Sequence, residues 1–526
     1  MTNENFNINI AKIKARCVEF LNHKRSLTYV SALMSIYTLL AFHYPFFSHV
    51  VKNVNHDFSG VWIVISMVIL MPLLNYLVYY LLLYLGRIVG KCIIAFTLIG
   101  NAICLYFIVT YNVLIDRSMM ANVFNTQLSE SISFLSWTML AYALLLGVLP
   151  TILLVRKRVD YGSIKRLFAN VGVTLVLILG VVGSNYKNVS WIDRHSRVIG
   201  SKLMPWSYII NTMHYYSRSK LKSEKEVILP DAEVVNNSKD IVVLIIGESA
   251  RSKNFSLYGY EKETNPLLKN DGVVALKSKA SDTYTLSTVR AILQHKKSRG
   301  TLYEILPNYL ERNGVDVIWR RSNWGTPPLH IAKQFTKDDL KNIYPEANIQ
   351  YDGILFHGLQ KEISSCDKNK IFIAIHTYTS HGPEYYHSTP PEFKKFKPES
   401  QVVELSEAKY EELINAYDNT IVYTDYLVHS VIEMLKSEFP DRRSCVIFIS
   451  DHGESLGEGG FYMHGVPMSM APAEQLDIPF IIWTSDNSML KVKEIEHAGH
   501  HNIYHSVLKF LGLHTSFYDE SKNIFE

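Results

Sequence analysis

Charged residues and cysteines are both scarce in this chain. Only 19% of its 526 residues are Asp, Glu, Lys or Arg, and the net charge is +4. Without a patch of interleaved basic and aromatic residues, this near-neutral balance predicts no nucleic-acid partner. The five cysteines also exclude a small domain held together by many disulfides, and a chain of this length can bury enough apolar surface without them.

Long apolar runs, by contrast, are concentrated in the first third of the chain. Buried core helices are one interpretation, but so many long runs in succession favour a membrane domain, since a spanning helix needs about 20 residues. The first run is too long for a removable signal peptide and lacks a small-residue cleavage site. The runs cover residues 27–47, 61–85, 92–111, 132–155 and 167–184.

The connections between these runs differ in their content of Lys and Arg. The tail before the first run and the second and fourth connections are basic, whereas the first and third hold little more than Lys52 and Arg117. Because basic connections stay in the cytoplasm, the N-terminus is predicted to be cytoplasmic. Five spans then place everything after Ser184 outside the cytoplasm.

After the last apolar run the sequence takes on the pattern of an α/β domain. Short apolar runs predict strands at 241–246, 315–319, 371–375, 445–449 and 478–483. They are continuous rather than alternating, as in mostly parallel sheets covered on both faces. The clearest helical pattern lies between the third and fourth strands, from 406 to 436, with Ser406 as its predicted N-cap.

These patterns predict two domains joined by a linker. We expect an N-terminal α-helical membrane domain of five transmembrane helices over 1–185, with an extracytoplasmic helix near 116–131. A partly helical linker covers 186–231, and an α/β domain with a mostly parallel sheet covers 232–526.

Ligands of such sheets bind at the carboxyl ends of the strands. Three predicted strands end in acidic residues or histidines, and carboxylate oxygen and imidazole nitrogen are zinc ligands. Taken singly, each residue is explained equally well as a cap or a solvated turn residue, but the joint arrangement favours a metal site. Glu248, Asp451 and His452 are the predicted ligands, and His381 and His464 are candidates for a second ion or for phosphate oxygens.

A hydroxyl beside a metal ion can act as a nucleophile towards phosphorus. The segment SDTYTLSTVR (281–290) predicts a turn that leads into a helix, where backbone N–H groups can bind an anion. Composition does not rank the hydroxyls of Thr283, Thr285, Ser287 and Thr288, and simple helix capping explains them equally well.

Five longer motifs show a resemblance to a known family. They resemble those of the lipid A phosphoethanolamine transferases, which include the mobile colistin-resistance enzymes and belong to the alkaline phosphatase and sulfatase superfamily. With the five apolar runs, the resemblance covers nearly the whole chain. The motifs are GESARSKNFSLYGYEKETNP (247–266), HTYTSHGPEYY (376–386), NAYDNTIVYTDY (415–426), SDHGESLGEGGFYMHG (450–465) and HNIYHSVL (501–508).

The resemblance implies roles for matching residues of the C-terminal domain. Thr285, the second Thr of the T-x-T in SDTYT, matches the nucleophile and is also a zinc ligand. Glu248, Asp451 and His452 match the other ligands of a tightly bound Zn²⁺. His381 and His464 match histidines that bind the phosphoryl group or a second zinc ion.

A further match lies in the segment NVFNTQLSE. Asn122, Thr126 and Glu130 match residues that line the lipid-substrate site of the family. Their four-residue spacing places them on one face of a helix. An ordinary amphipathic helix at the membrane surface has the same pattern.

The implied protein is a zinc-dependent, monomeric enzyme of the bacterial inner membrane with its catalytic domain in the periplasm. It would move phosphoethanolamine from phosphatidylethanolamine to lipid A or the lipooligosaccharide core through a phosphothreonine, a modification associated with polymyxin resistance. The acceptor stays open between a lipid A phosphate, a core sugar, and another glycan or protein.

This chain departs from the family pattern at several positions. Ser281 and Asp282 replace the Cys and Gly before the nucleophile, and Val402 and Ala408 stand where further cysteines are expected. The bracing disulfides of the family are therefore predicted to be absent. The segment RRSNWGTPP (320–328) replaces a region where many members carry a lysine, and we expect its Asn323 to contact substrate.

Three other functions compete with this interpretation. A phosphoglycerol transferase would differ in the donor headgroup and share the ligands. A sulfatase needs Cys or Ser in a C/S-x-P-x-R setting, which the nucleophile position lacks. A membrane sensor with a decayed phosphatase-like domain would be expected to have lost metal ligands, which are intact here.

Overall fold

The structure is a computed structural model that describes residues 23–125, 131–132, 134–221, 226–298, 301–485 and 491–526. The described residues fall into two compact units. The first comprises the chain up to Met120 together with Leu135–His214, and the second comprises Ala121–Phe134 and Tyr215–Glu526. The predicted domain limits at 185 and 231 stay predictions.

The described residues before the C-terminal domain, up to Leu221, are mostly helical. Several of its helices are almost entirely apolar, as predicted from the sequence. The helices are α1 (Leu27–Phe42), α2 (Tyr44–Asn53), α3 (Phe58–Gly86), α4 (Ile88–Tyr111), α5 (Arg117–Asn125), α6 (Trp137–Arg156), α7 (Ile164–Ser184), α8 (Val189–Lys202) and α9 (Trp206–Leu221).

Within the described residues, α3, α4, α6 and α7 are each long and apolar enough to cross a membrane. The pair α1 and α2 makes a fifth span if it is counted as one, so the predicted membrane domain is confirmed with four or five spans. The first predicted run is not one straight helix, because α1 and α2 meet at an angle of 65°. Pro45, at the start of α2, has no N–H to continue the hydrogen bonds of α1.

The second unit is built around a mixed sheet, in which the described residues form eight strands in the order β8-β2-β7-β6-β1-β5-β3-β4. Neighbouring strands are parallel except at β7, which is antiparallel to both β2 and β6. The predicted mostly parallel sheet is therefore confirmed. The strands are β1 (Asp240–Gly247), β2 (Val274–Lys279), β3 (Asp316–Arg321), β4 (Lys333–Thr336), β5 (Lys370–His376), β6 (Arg443–Ser450), β7 (Asp477–Thr484) and β8 (Ala498–Gly499).

Each of the five predicted apolar runs falls on one of these strands, namely β1, β3, β5, β6 and β7. The sequence did not indicate β2, β4 and β8. In β2 only two of six residues are buried, so it lacks a continuous apolar run, and β8 has two residues. Strands this short or this polar can be identified only from the strands with which they pair in the structure.

Helices cover both faces of the sheet. Those at one face share a hydrophobic core with Val242 and Leu244 of β1 through residues such as Val289 and Val507. The helices of this unit are α10 (Pro266–Asn270), α11 (Thr285–Leu293), α12 (Leu306–Arg312), α13 (Lys337–Ile343), α14 (Leu359–Ser364), α15 (Tyr410–Glu438), α16 (Ala473–Leu476) and α17 (Ile503–Leu511).

The long helix α15 corresponds to the predicted helix at 406–436, but its start was predicted wrongly. Ser406 lies in a separate 3₁₀ turn, Leu405–Glu407, and α15 begins at Tyr410 after Lys409, whose side chain makes no capping bond. The predicted buried face is present, and Leu413, Tyr417 and further residues at the same spacing are buried.

We predict that the C-terminal domain contains no disulfide. Among the described residues of this domain, Cys366 and Cys445 are both free, and Cys445 is buried within β6. The full-length protein, purified with a thiol-blocking reagent, should migrate identically on reducing and non-reducing gels. A faster band that disappears with reductant would show that the two cysteines pair.

Candidate active site

The carboxyl ends of three adjacent strands, β6, β1 and β5, meet at one edge of the sheet. Glu248 follows β1 directly, and Asp451 and His452 follow β6. The fourth predicted ligand, Thr285, is the first residue of α11. The tertiary fold thus brings together residues that lie more than 200 positions apart in the chain.

The four side chains converge on a single point. Thr285 Oγ1 lies 3.3 Å from Glu248 Oε2 and 3.3 Å from His452 Nε2. His452 Nε2 is also 3.4 Å from Glu248 Oε1 and 3.3 Å from Asp451 Oδ2. All four residues are at least 97% buried, so bulk water does not separate them.

The hydrogen bonds of His452 show which atom faces this point. Nδ1 lies 3.0 Å from the carbonyl oxygen of Gly453, which can only accept, so Nδ1 carries the hydrogen. The lone pair of Nε2 therefore points towards the oxygens of Glu248 and Asp451. Lone pairs that face one another across a buried space repel unless a cation lies between them.

The residues present fit a divalent cation. Asp451 Oδ1 accepts from the N–H groups of Ser249 and His452 at 3.1 and 2.7 Å. Asp451 Oδ2 is buried and, within the described residues, accepts no hydrogen bond. Such an oxygen is costly unless an ion or a donor compensates it. One ligand atom each from Glu248, Asp451 and His452 lies within 4.8 Å of the other two.

Electrostatics lead to the same conclusion. Burial raises the pKa of Asp451 to about 7, and burial followed by the charge of Asp451 raises the pKa of Glu248. Burial lowers the pKa of His452 to about 4, so this histidine is neutral at pH 7, as a metal ligand must be. Without a cation the protein opposes ionisation of both carboxyl groups, and a cation removes that opposition.

Two glycines beside the predicted ligands are required by close packing. A Cβ on Gly247 would lie 2.6 Å from Cζ of Phe448, and one on Gly453 would lie 2.1 Å from the carbonyl oxygen of Glu474. The unusual backbone occurs at Ser249, whose φ is 54°. Strained residues of this kind are frequent in active sites.

The predicted substrate residue Asn323 lies against Glu248, one of the predicted metal ligands. It is buried, and its Nδ2 donates to Glu248 Oε2 and, at 3.1 Å, to the carbonyl oxygen of Thr377. Next to it, Gly325 has a φ of +87°, and a Cβ there would lie 3.2 Å from the Thr285 methyl group. The segment that begins at Asn323 therefore packs directly on Thr285, and substrate contact by Asn323 stays a prediction.

The predicted phosphate-binding histidines are close to the cluster. The ring of His464 lies 4.1 Å from that of His452 and 5.3 Å from that of His381, centroid to centroid. His464 Nδ1 is 2.8 Å from Oε2 of Glu454, and Glu454 also accepts from the hydroxyl of Tyr385. The structure brings both histidines to the cluster of predicted metal ligands, and their roles stay predictions.

The sequence reasoning missed two buried residues of this region. Glu454 follows the DHG motif directly, and its burial raises its pKa to about 7; its acidic character at that place was the available signal. His376 ends β5, and within the described part of the chain neither ring nitrogen makes a hydrogen bond. The position of His376 directly after the predicted strand 371–375 was the available signal, but no role was assigned to it.

The residues predicted to line the lipid site are described in part. Asn122 lies in α5, and a Cβ on Gly465, the neighbour of His464, would lie 3.9 Å from its Nδ2. Thr126 and Glu130 lie outside the described residues.

Comparison with known proteins places this site in a family. A profile described as phosphoethanolamine transferase EptA/EptB matches residues 73–219, and a sulfatase profile matches residues 240–513. Phosphoethanolamine transferase EptA of Helicobacter pylori is 34% identical over 93% of this chain and 95% of its own length. The chain belongs to the phosphoethanolamine transferase family.

Other members extend the likeness. Phosphatidylethanolamine transferase Mcr-1 of Escherichia coli is 29% identical over 76% of this chain and 79% of its own length. The lipooligosaccharide phosphoethanolamine transferase A of Neisseria meningitidis has a solved structure with a TM-score of 0.86, 24% identity, and coverage of 96% of this chain and 99% of that one. At 24% identity, the likeness to the Neisseria enzyme shows a shared fold.

Membership confirms the resemblance inferred from the motifs. This phosphoethanolamine transferase is an enzyme with membrane-spanning N-terminal helices and a sulfatase-like α/β domain. Its helices lie in the inner membrane and its soluble domain is periplasmic, as the family resemblance implied; the distribution of Lys and Arg had predicted only an extracytoplasmic domain.

Asp451→Asn tests whether the cluster holds a metal. The amide can still accept from the two backbone N–H groups at Oδ1, but it removes the charge from the position of Oδ2. Losing an outer-shell partner costs about 10–100-fold in metal affinity, so losing this ligand should cost about 100-fold or more. The metal content of the purified full-length protein, measured by plasma mass spectrometry, should fall while the protein stays folded.

Asp352→Asn is the matched control. Asp352 is also a buried carboxylate that accepts from a backbone N–H after a strand, that of Tyr378 at 2.6 Å, but it is not in the cluster. Its variant should keep the metal. Equal metal content in the two variants and the wild type would remove Asp451 from the ligand set.

Proposed function

We propose that this enzyme transfers phosphoethanolamine from phosphatidylethanolamine to lipid A or the lipooligosaccharide core, through a covalent intermediate on Thr285 at a zinc site. The observation that carries the proposal is the position of Thr285 Oγ1, 3.3 Å from both Glu248 and His452. The buried hydroxyl of Thr285 faces the predicted metal ligands, which is where the mechanism requires a nucleophile.

The first half-reaction forms the bond from Thr285 Oγ1 to phosphorus and breaks the bond from phosphorus to the diacylglycerol oxygen. The hydroxyl proton leaves Thr285, and the diacylglycerol oxygen gains a proton. Thr285 is at the N-terminus of α11, where the helix dipole favours negative charge on the phosphoryl oxygens. Zinc, when bound by Glu248, Asp451 and His452, would lower the pKa of the Thr285 hydroxyl and offset phosphoryl charge.

The second half-reaction transfers the group to the acceptor. A hydroxyl or phosphate oxygen of the acceptor attacks phosphorus, the bond to Thr285 breaks, and the threonine hydroxyl is restored. His381 and His464 lie beside the cluster, and we assign them to the phosphoryl oxygens in both steps. Because one nucleophile serves both steps, donor and acceptor occupy the same site in turn.

Two features support the choice of substrates. The donor is a lipid, and the membrane helices keep the catalytic domain at the bilayer where that lipid is found. The relatives named above are phosphoethanolamine or phosphatidylethanolamine transferases, and the Neisseria enzyme acts on lipooligosaccharide by its name. Mass spectrometry of the lipid A and core fractions of cells with and without the enzyme would identify the acceptor.

Thr285→Ala should lower transfer by at least about 1,000-fold, because it removes the nucleophile and leaves the other three predicted ligands, Glu248, Asp451 and His452, in place. The assay uses the full-length enzyme in detergent, with phosphatidylethanolamine as donor and phosphatidylglycerol in a parallel reaction. Without acceptor, the wild type should carry phosphoethanolamine on the peptide that contains Thr285, and the variant should not.

Thr288→Ala is the control one turn further along α11. Thr288 is also buried, and its hydroxyl is bonded to the carbonyl oxygens of Tyr284 and Thr285 at 3.1 and 3.0 Å. Its variant should retain transfer. Full activity of Thr285→Ala would exclude the covalent mechanism, and a preference for phosphatidylglycerol would favour phosphoglycerol transfer.

A further inference from the structure

The strands that carry the nucleophile and the metal ligands are not neighbours in the sheet. β2 leads through a short turn to Thr285, whereas β6 leads directly to Asp451 and His452. β7 lies between β2 and β6 and runs in the opposite direction. Since adjacent strands are about 4.8 Å apart, the ends of β2 and β6 are roughly 10 Å apart. No ladder of parallel strands joins them directly.

The side chain of His500 spans this gap. It follows β8, which pairs with β2 through Gly499 and Lys279. Its ring is 99% buried. Nδ1 lies 3.2 Å from the backbone nitrogen and 2.9 Å from the hydroxyl of Ser281, and Nε2 lies 2.9 Å from the carbonyl oxygen of Ser450.

The partners of His500 determine its tautomer. The N–H of Ser281 can only donate, so Nδ1 is an acceptor. The carbonyl of Ser450 can only accept, so Nε2 carries the hydrogen. A hydrogen on Nδ1 would instead place two donors against each other. His500 is thus a neutral ring with one fixed bond at each end.

We propose that His500 is a positioning residue for the transfer reaction, which ties Ser281 to Ser450 and so sets the distance between Thr285 and the ligands Asp451 and His452. The proposal rests on the proposed role of Thr285. Ser281 precedes Thr285 by four positions and Ser450 precedes Asp451 by one. A shift of Ser281 would therefore move Thr285, and a shift of Ser450 would move Asp451.

A link of this kind affects the rate because nucleophilic attack tolerates only small displacements of the reacting atoms. A displacement of about 1 Å can lower a rate by about 100-fold. The described cysteines of this domain, Cys366 and Cys445, are free, so no disulfide between them braces the turn before Thr285. Among the described residues, the hydrogen bonds of His500 join this turn to the end of β6, and Thr283 Oγ1 adds a bond from the turn to the carbonyl oxygen of Val466.

His500→Asn and His500→Gln each cut one end of the bridge. The amide of Asn reaches the position of Nδ1 and can still accept from Ser281, whereas the amide of Gln reaches towards Ser450. In the full-length enzyme, with phosphatidylethanolamine and lipid A as substrates, both variants should lower kcat by about 10–100-fold. The KM for phosphatidylethanolamine and the zinc content should stay at the wild-type level.

His505 provides a matched control. It is buried, its Nε2 lies 2.9 Å from the carbonyl oxygen of His295, and its Nδ1 accepts from the N–H of Asp519 at 3.1 Å. It is therefore the same kind of two-ended bridge, but it lies in α17 away from the metal ligands. His505→Asn and His505→Gln should lower the melting temperature and leave kcat unchanged.

Wild-type kcat in folded His500 variants would overturn the proposal. A loss of zinc in proportion to the loss of kcat would also overturn it, because the ion rather than the nucleophile would then be displaced. If both variants fail to fold, Ser281→Ala decides the question. It removes the shorter bond to Nδ1 and should lower kcat by roughly three- to tenfold with KM unchanged, and an unchanged kcat would contradict the bridge.

Different experimental results would refute the proposed function. Absence of phosphoethanolamine transfer by the wild type would refute the reaction itself, and full transfer by Thr285→Ala would refute the intermediate on Thr285. Normal transfer by the wild type, none by Thr285→Ala and wild-type rates in the His500 variants would refute only the positioning role.

Discussion

Two carboxylates withdrawn from water at one point need a positive charge between them, and this requirement organises the catalytic domain. Glu248 and Asp451 are both essentially fully buried, and the lone pair of His452 faces the same space. The domain can keep them there because parallel strands β1 and β6 lie side by side and hold their ends in register. The hydrophobic core stabilises the fold enough to keep these two carboxylates buried, although their burial is unfavourable.

The same constraint explains the surroundings of the cluster. Gly247 and Gly453 have no room for a side chain, and Ser249 adopts a strained backbone between the ligands. Asn323 donates to Glu248, and Glu454 holds His464 beside His452. Each of these residues fixes a ligand or a neighbouring imidazole, so that the hydroxyl of Thr285 meets preorganised partners. In a site of this kind little reorganisation is needed during the reaction.

Much of the fold was predictable because its signals are local. Continuous apolar runs identify β1 and β5, whose residues are all buried. Hydropathy alone locates the four long membrane helices to within five residues at each end, but it did not show the bend between α1 and α2. The edge strands β2 and β8 were not predictable, since β2 is half polar and β8 has two residues. The predicted cap at Ser406 failed because a separate turn intervenes before α15, and no sequence rule distinguishes such a turn from the first turn of a helix.

The membrane topology and the α/β class were predictable from apolar runs and from the distribution of Lys and Arg, which are properties of the linear chain. Glu248, Asp451 and His452 were predicted from their places at strand ends, whereas Thr285 was singled out from its neighbouring hydroxyls only by the family resemblance. Tertiary structure alone decided which atoms face one another. That Nε2 of His452 points to the carboxylates and that His500 joins Ser281 to Ser450 depends on strand order. Strand order is set by packing between distant segments, and it leaves no local signal in the sequence.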